Sequence, residues 1–104
     1  MPLFQLTLIA RGGKSRSGSA PVAKVIDIIE QSGLPYQLNA MATLIEGEWD
    51  EVMATINRAR LALKRDNDRV YMILTMDDRK GARRRMTGKV DSVEKKLGRK
   101  VQRL

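Results

Sequence analysis

A chain of 104 residues, 42% of them hydrophobic, has room for one domain with a real core and not for two. The absence of Cys and His excludes disulfides, thiolate metal sites, cysteine nucleophiles, Ser-His-Asp triads and zinc hydrolases, which moves the expectation from enzyme to binding protein. The net charge of +8 is concentrated at one end. From Arg79 to Leu104 eleven Lys/Arg face two acids (Asp91, Glu94), while nine bases and ten acids leave residues 1–78 almost neutral.

No apolar run reaches the length of a membrane span, and Met1-Pro2-Leu3-Phe4 enters a strand pattern without a basic n-region. The expectation is a soluble, cytoplasmic protein with no membrane partner. Leu3 to Ala10 alternates, with Phe4, Leu6 and Leu8 opposite Gln5 and Thr7, as a half-buried strand does. Arg11-Gly-Gly-Lys-Ser-Arg-Ser-Gly-Ser19 follows. It lies between a strand and a helix, like a phosphate-cradling loop, but lacks Walker spacing and reads rather as a flexible surface connection.

Ser17 or Ser19 can cap the next helix, which tolerates Pro21 in its first turn and carries Val22, Val25, Ile26 and Ile29 as one stripe up to Gly33. Pro35–Asn39 and Met41–Glu46 read as two short strands joined near Asn39-Ala40. Glu46-Gly47 closes the second, and a helix follows whose face holds Trp49, Val52, Met53, Ile56 and Leu63, with Glu48, Asp50 and Glu51 suiting its N-terminus. Asp66-Asn67-Asp68 breaks that helix, and Arg69–Met76 alternates as a further strand. Beyond the basic turn, Met86, Val90, Val93 and Leu97 mark a last amphipathic helix ending at Gly98.

The order β-α-β-β-α-β-α predicts an α+β, ferredoxin-like βαββαβ sandwich: a four-stranded antiparallel sheet with two helices on one face, plus a C-terminal helix. Residues 1–98 form the domain and 99–104 a basic tail. The sheet's second face would carry Met41, Ile45, Ile9 and Ile73 among Thr7, Thr43 and Thr75. Such a face is too apolar to leave wet, so a second copy of the chain is expected to cover it in a homo-oligomer.

Gly33-x-x-Tyr36, Met41-x-Thr43-x-Ile45-Glu46-Gly47, Asp77-Asp78-Arg79-x-Gly81 and Met86-Thr87-Gly88-Lys89-Val90-x-x-Val93-Glu94 occur in an order that resembles the small thiamine-binding, YkoF-like protein family. The resemblance spans about Val22 to Leu97. It implies a ferredoxin-like subunit, dimers assembled into tetramers, and binding of thiamine or its hydroxymethylpyrimidine half without catalysis. The chain departs from the family in its first loop. If that loop lines the pocket, its three cations would repel a thiazolium.

An aminopyrimidine presents a donor amine beside a ring nitrogen, so a carboxylate or a hydroxyl with backbone groups can hold it. Glu46 fits the first role, Thr43 the hydroxyl, Tyr36 an aromatic edge, and Ser19 at a helix start a further polar contact. Each has a plain structural alternative: Glu46 a strand-end ion pair, Thr43 a β-branched strand residue. Trp49 reads as core and Asp77-Asp78-Arg79 as a salt-bridge cluster; no metal or other cofactor is expected. A second function class is nucleic-acid binding through the basic segment, with Arg83, Arg84, Arg85 and Lys89 as candidate polyanion contacts. No aromatic stacking pattern accompanies those bases, which argues against single-strand recognition.

Overall fold

In the computed structural model, residues 1–13 and 19–103 are described, with the side chain of Ser19 excepted. The elements are β1 (Leu3–Arg11), α1 (Ser19–Ser32), β2 (Tyr36–Leu38), β3 (Thr43–Glu46), α2 (Trp49–Asp66), β4 (Arg69–Asp77) and α3 (Arg85–Leu97). The strands form one antiparallel sheet in the order β2-β3-β1-β4, the ferredoxin-like arrangement expected from the element order.

Register determines which side chains meet. Phe4 stands opposite Ile45 on one side and Met76 on the other, and Leu6 stands between Thr43 and Leu74. These residues therefore share the helix-covered face. There Phe4, Leu6 and Ile45 pack with Val25 and Ile29 of α1 and with Val52, Ile56, Ala59 and Leu63 of α2 in one core. Gly33 takes the left-handed conformation (φ 78°) that ends α1 and lets the chain turn into β2.

Three expectations need correction, two about the sheet and one about α2. Thr43 and Ile45 lie on the core face and not on the second face, because β3 pairs with β1 through Leu6 and Phe4. Met41 belongs to no strand. Asn39 Oδ1 accepts hydrogen bonds from the backbone N–H groups of Met41 and Ala42 (2.9 and 2.8 Å), and the resulting turn leaves Met41 84% exposed. Trp49 is half outside the core. Its ring sits 6.1 Å from that of Phe4, tilted at 43°, yet the residue remains 51% exposed. It occupies the first helical position, where only one side has anything to pack against.

The second face carries Thr7, Ile9, Tyr71, Ile73 and Thr75 across the β1–β4 pair. Tyr71 and Ile73 are about half exposed, with the Arg69 guanidinium 5.5 Å from the Tyr71 ring centre. The third helix does not cover them. It packs chiefly against β3, contains no buried residue, and leaves Val93 and Leu97 exposed. The molecule is correspondingly long, 49 × 28 × 21 Å, with a radius of gyration of 15.3 Å, against roughly 13 Å for a compact chain of this length.

Beyond Gly98, Val101 and Arg103 fold back onto α3. Arg103 bonds to Asp91 (2.5 Å) and pairs with Glu94, and the Val101 N–H donates to Glu94 Oε2 at 2.8 Å. At the other end of α3, Arg85 pairs with Asp77. Both carboxyls are held below their ordinary range, Asp77 first by the hydrogen bond from Arg85 and Glu94 first by that from Arg103. A depressed folded-state value contributes stability that is complete above the ordinary carboxylate range and is lost as pH falls through the lowered one. Below roughly pH 4, α3 should therefore lose helical circular dichroism before Trp49 fluorescence reports loss of the core. Coincident transitions would show that these pairs do not hold α3.

Candidate functional site

Of the expected ligand residues, Thr43, Tyr36 and Glu46 lie at three separate places. Thr43 is 6% exposed and lines a pocket of about 100 Å³ between the β2–β3 turn, the middle of β1 and the first half of α1. Leu6, Leu8, Val22, Val25 and Leu38 make its walls apolar, and Asn39 and Thr43 bring side-chain polar groups to it. Neither the Thr43 hydroxyl nor the Asn39 amide nitrogen bonds to another described residue; in the turn only the Asn39 side-chain oxygen is engaged. Thr7, at the pocket's edge, donates to the Met41 carbonyl at 3.1 Å and so ties the turn to β1. For scale, a cavity of about 150 Å³ takes up benzene, so a ring would fit here only if the pocket widened at the exposed turn around Met41.

Tyr36 shares the core face but not the pocket. It stands opposite Ile45, and its phenol is shifted above its ordinary value by burial, then by the charge of Glu30 and the hydrogen bond to it. It ties β2 to α1. Ser19 begins α1, three residues before Val22 in the pocket wall, but its side chain lies outside the described residues, as do positions 14–18 of the basic first loop.

Glu46 points the other way. Lying three positions from Thr43 in the same strand, it is on the second face, opposite Leu3, and only 3% exposed. Its Oε1 accepts the backbone N–H of Arg85 at 3.0 Å. Arg84, the residue before α3, has left-handed geometry (φ 53°, ψ 42°) and supplies no side-chain cap, so this carboxylate caps the helix from a distant strand. Its other oxygen, Oε2, is buried without a hydrogen-bond partner among the described residues.

Arg83, Arg85 and Lys89 of the expected polyanion contacts line one cleft with Arg79 and Lys80, between the β4–α3 turn and the first half of α3; Arg84 stays outside it. Among the described residues no group of three or more acidic residues is placed to hold a metal ion, and no helix is long and apolar enough to cross a membrane. Asn39 and the apolar wall from α1 were missed in the sequence. The Leu38-Asn39-Ala40-Met41 turn was the available signal, since an Asn that caps its own turn with Oδ1 keeps a free amide donor.

A four-stranded sheet with two helices on one face and a small, largely apolar pocket between the sheet and α1 describes a small ferredoxin-like protein of the ligand-binding class. The chain belongs to the thiamine-binding protein family, whose model matches residues 4–94. A UPF0045 protein of Methanothermobacter thermautotrophicus is 38% identical over 95 residues, covering 89% of this chain and 96% of its own. The UPF0045 protein Mb1933 of Mycobacterium bovis is 43% identical over 77 residues, 73% of this chain and 76% of the relative. Among solved structures, protein MJ1052 of Methanocaldococcus jannaschii superposes with a TM-score of 0.79 at 29% identity, covering 88% of this chain and 94% of that one. A Thermotoga maritima protein assigned provisionally to thiamine biosynthesis or salvage has a TM-score of 0.76 over 88% of this chain and 97% of its own. At 20% identity that likeness supports the shared fold alone.

Proposed function

We propose that this protein is a non-catalytic, cytoplasmic binder of thiamine or its hydroxymethylpyrimidine half. The observation that carries the reading is the pocket at Thr43 in a chain of the thiamine-binding family. The chemistry of its polar groups matches an aminopyrimidine. The Thr43 hydroxyl can accept from the exocyclic amine, and the free Asn39 amide nitrogen can donate to a ring nitrogen. The apolar walls take the ring faces, while Tyr36 and Glu46 act on the scaffold around the pocket. With the pocket this small, the pyrimidine is the part enclosed and a thiazolium would lie outside, towards Met41.

Calorimetry on refolded, ligand-free protein tests this. Hydroxymethylpyrimidine and thiamine should both release heat, with Thr43→Val weakening binding about tenfold, the worth of one buried hydrogen bond. Val22→Trp, placed on the partly exposed edge of the pocket, should abolish binding with the fold intact. No heat with either compound would refute the proposal.

The binder works as a homo-oligomer in this reading, a dimer of dimers by resemblance to the family. The support on the molecule is the uncovered second face, where Tyr71 and Ile73 stand half exposed beside Thr7 and Ile9. Ile73→Asp should dissociate the assembly by placing a charge in the shielded face. A single-subunit scattering mass for the unmodified protein would exclude the assembly.

A further inference from the structure

The pocket at Thr43 leaves the most strongly charged part of the molecule without a role. Between Arg79 and Val90 the chain carries six bases and no acid. Five of them, Arg79, Lys80, Arg83, Arg85 and Lys89, line one cleft of about 660 Å³. Only Arg85 has an ion-pair partner among the described residues, the carboxylate of Asp77. Outside the cleft, Lys24 pairs with Asp66 and Arg103 with both Asp91 and Glu94, so what distinguishes these five bases is that they share one concavity. Four cations without an ion-pair partner share one concavity, and the Asp77 carboxylate, near enough to feel Arg79 and Lys89, offsets only part of their mutual repulsion.

Two details of the frame favour a ligand over mere surface charge. The backbone anion position at the start of α3 is already filled by Glu46, which accepts the Arg85 N–H and pins the helix against β3. The cleft is thereby framed before any ligand arrives, and only side chains remain to grip one. Gly88 lines the cleft inside the first turns of α3, and a Cβ there would meet nothing within 4 Å. Packing therefore does not require a glycine that costs the helix roughly 1 kcal/mol relative to Ala.

We propose that this cleft, walled by Arg79, Lys80, Arg83, Arg85 and Lys89, binds a small organic phosphate, preferring a diphosphate to a monophosphate. Guanidinium forks suit paired phosphate oxygens, and mobile lysine ammoniums on either side neutralise the remaining charge. The cleft's size is that of a small-molecule site. It has no aromatic residue on which a base could stack, which separates it from a single-strand nucleic-acid channel. It lies at the Leu3 end of β1, whereas the Thr43 pocket meets the same strand at Leu6 to Leu8, so this site is independent of the pyrimidine reading.

The experiment is calorimetry of the full chain at low salt with inorganic pyrophosphate, inorganic phosphate and a mixed-sequence RNA oligonucleotide. Pyrophosphate should bind at one site per subunit, about tenfold more tightly than phosphate. Arg83→Gln with Lys89→Gln should weaken it by more than about tenfold at an unchanged melting temperature. Lys95→Gln with Lys96→Gln, which removes the same charge from outside the cleft, should leave the affinity within about twofold. Equal losses in the two double variants would reduce the effect to net charge and overturn the site. RNA binding in preference to pyrophosphate, with a steep salt dependence, would overturn it in favour of nucleic-acid binding. No measurable pyrophosphate binding would also end it.

Discussion

Phe4→Ala should bring the domain close to unfolding. Phe4 is wholly buried in the central strand β1, between Ile45 of β3 and Met76 of β4, with the Trp49 ring over it. Truncation removes the ring's burial and leaves a cavity that two flanking strands and two helices cannot easily close, a loss of about 3–5 kcal/mol. Domains of this size carry only about 5–15 kcal/mol in total. Urea denaturation should show a much lower midpoint at an unchanged slope, since the surface exposed on unfolding is nearly the same. A loss under about 1 kcal/mol would mean that the core is not centred on this ring.

Glu46→Ala should release α3 while leaving the sheet and its two covering helices folded. The carboxylate is the helix's N-terminal cap, delivered from β3, and α3 buries none of its own residues against the domain. Without it the Arg85 N–H and the positive end of the helix lose their partner. The cost is about 2 kcal/mol, the upper end for a cap and within the range for a charged hydrogen bond. Amide exchange across 85–97 should quicken by more than an order of magnitude, with β1 and α2 little changed. Glu46→Gln keeps an acceptor but removes the charge and should fall in between. Unchanged exchange in α3 would show that its attachment lies elsewhere. Because Glu46 and Thr43 point to opposite faces, pyrimidine binding should survive Glu46→Ala within about threefold. A large loss of binding would instead put the carboxylate in the ligand site.

This division of labour between two nearby residues was invisible in the linear chain. Glu46 and Thr43 stood in one short motif, and both had suitable chemistry for an aminopyrimidine. Strand alternation puts residues three apart on opposite faces, yet alternation alone does not say which face the helices cover. Pairing of Phe4 with Ile45 decided that. Tyr36 offered an aromatic edge but was turned to Glu30 of α1, and the tail after Gly98 was recruited back onto α3 by Glu94 and Asp91.

Residue order alone determined the number and kind of elements, because apolar periods of two and of 3.6 encode which stretches can bury one side as strand or helix. It also determined the missing chemistry of His and Cys and the location of the positive charge. Tertiary structure decided what each polar group is for. A carboxylate's role depends on the partner that reaches it, and for Glu46 that partner is a backbone N–H 39 positions away. Distances between sequence-remote groups arise only when the strands settle into register, and no local pattern records them.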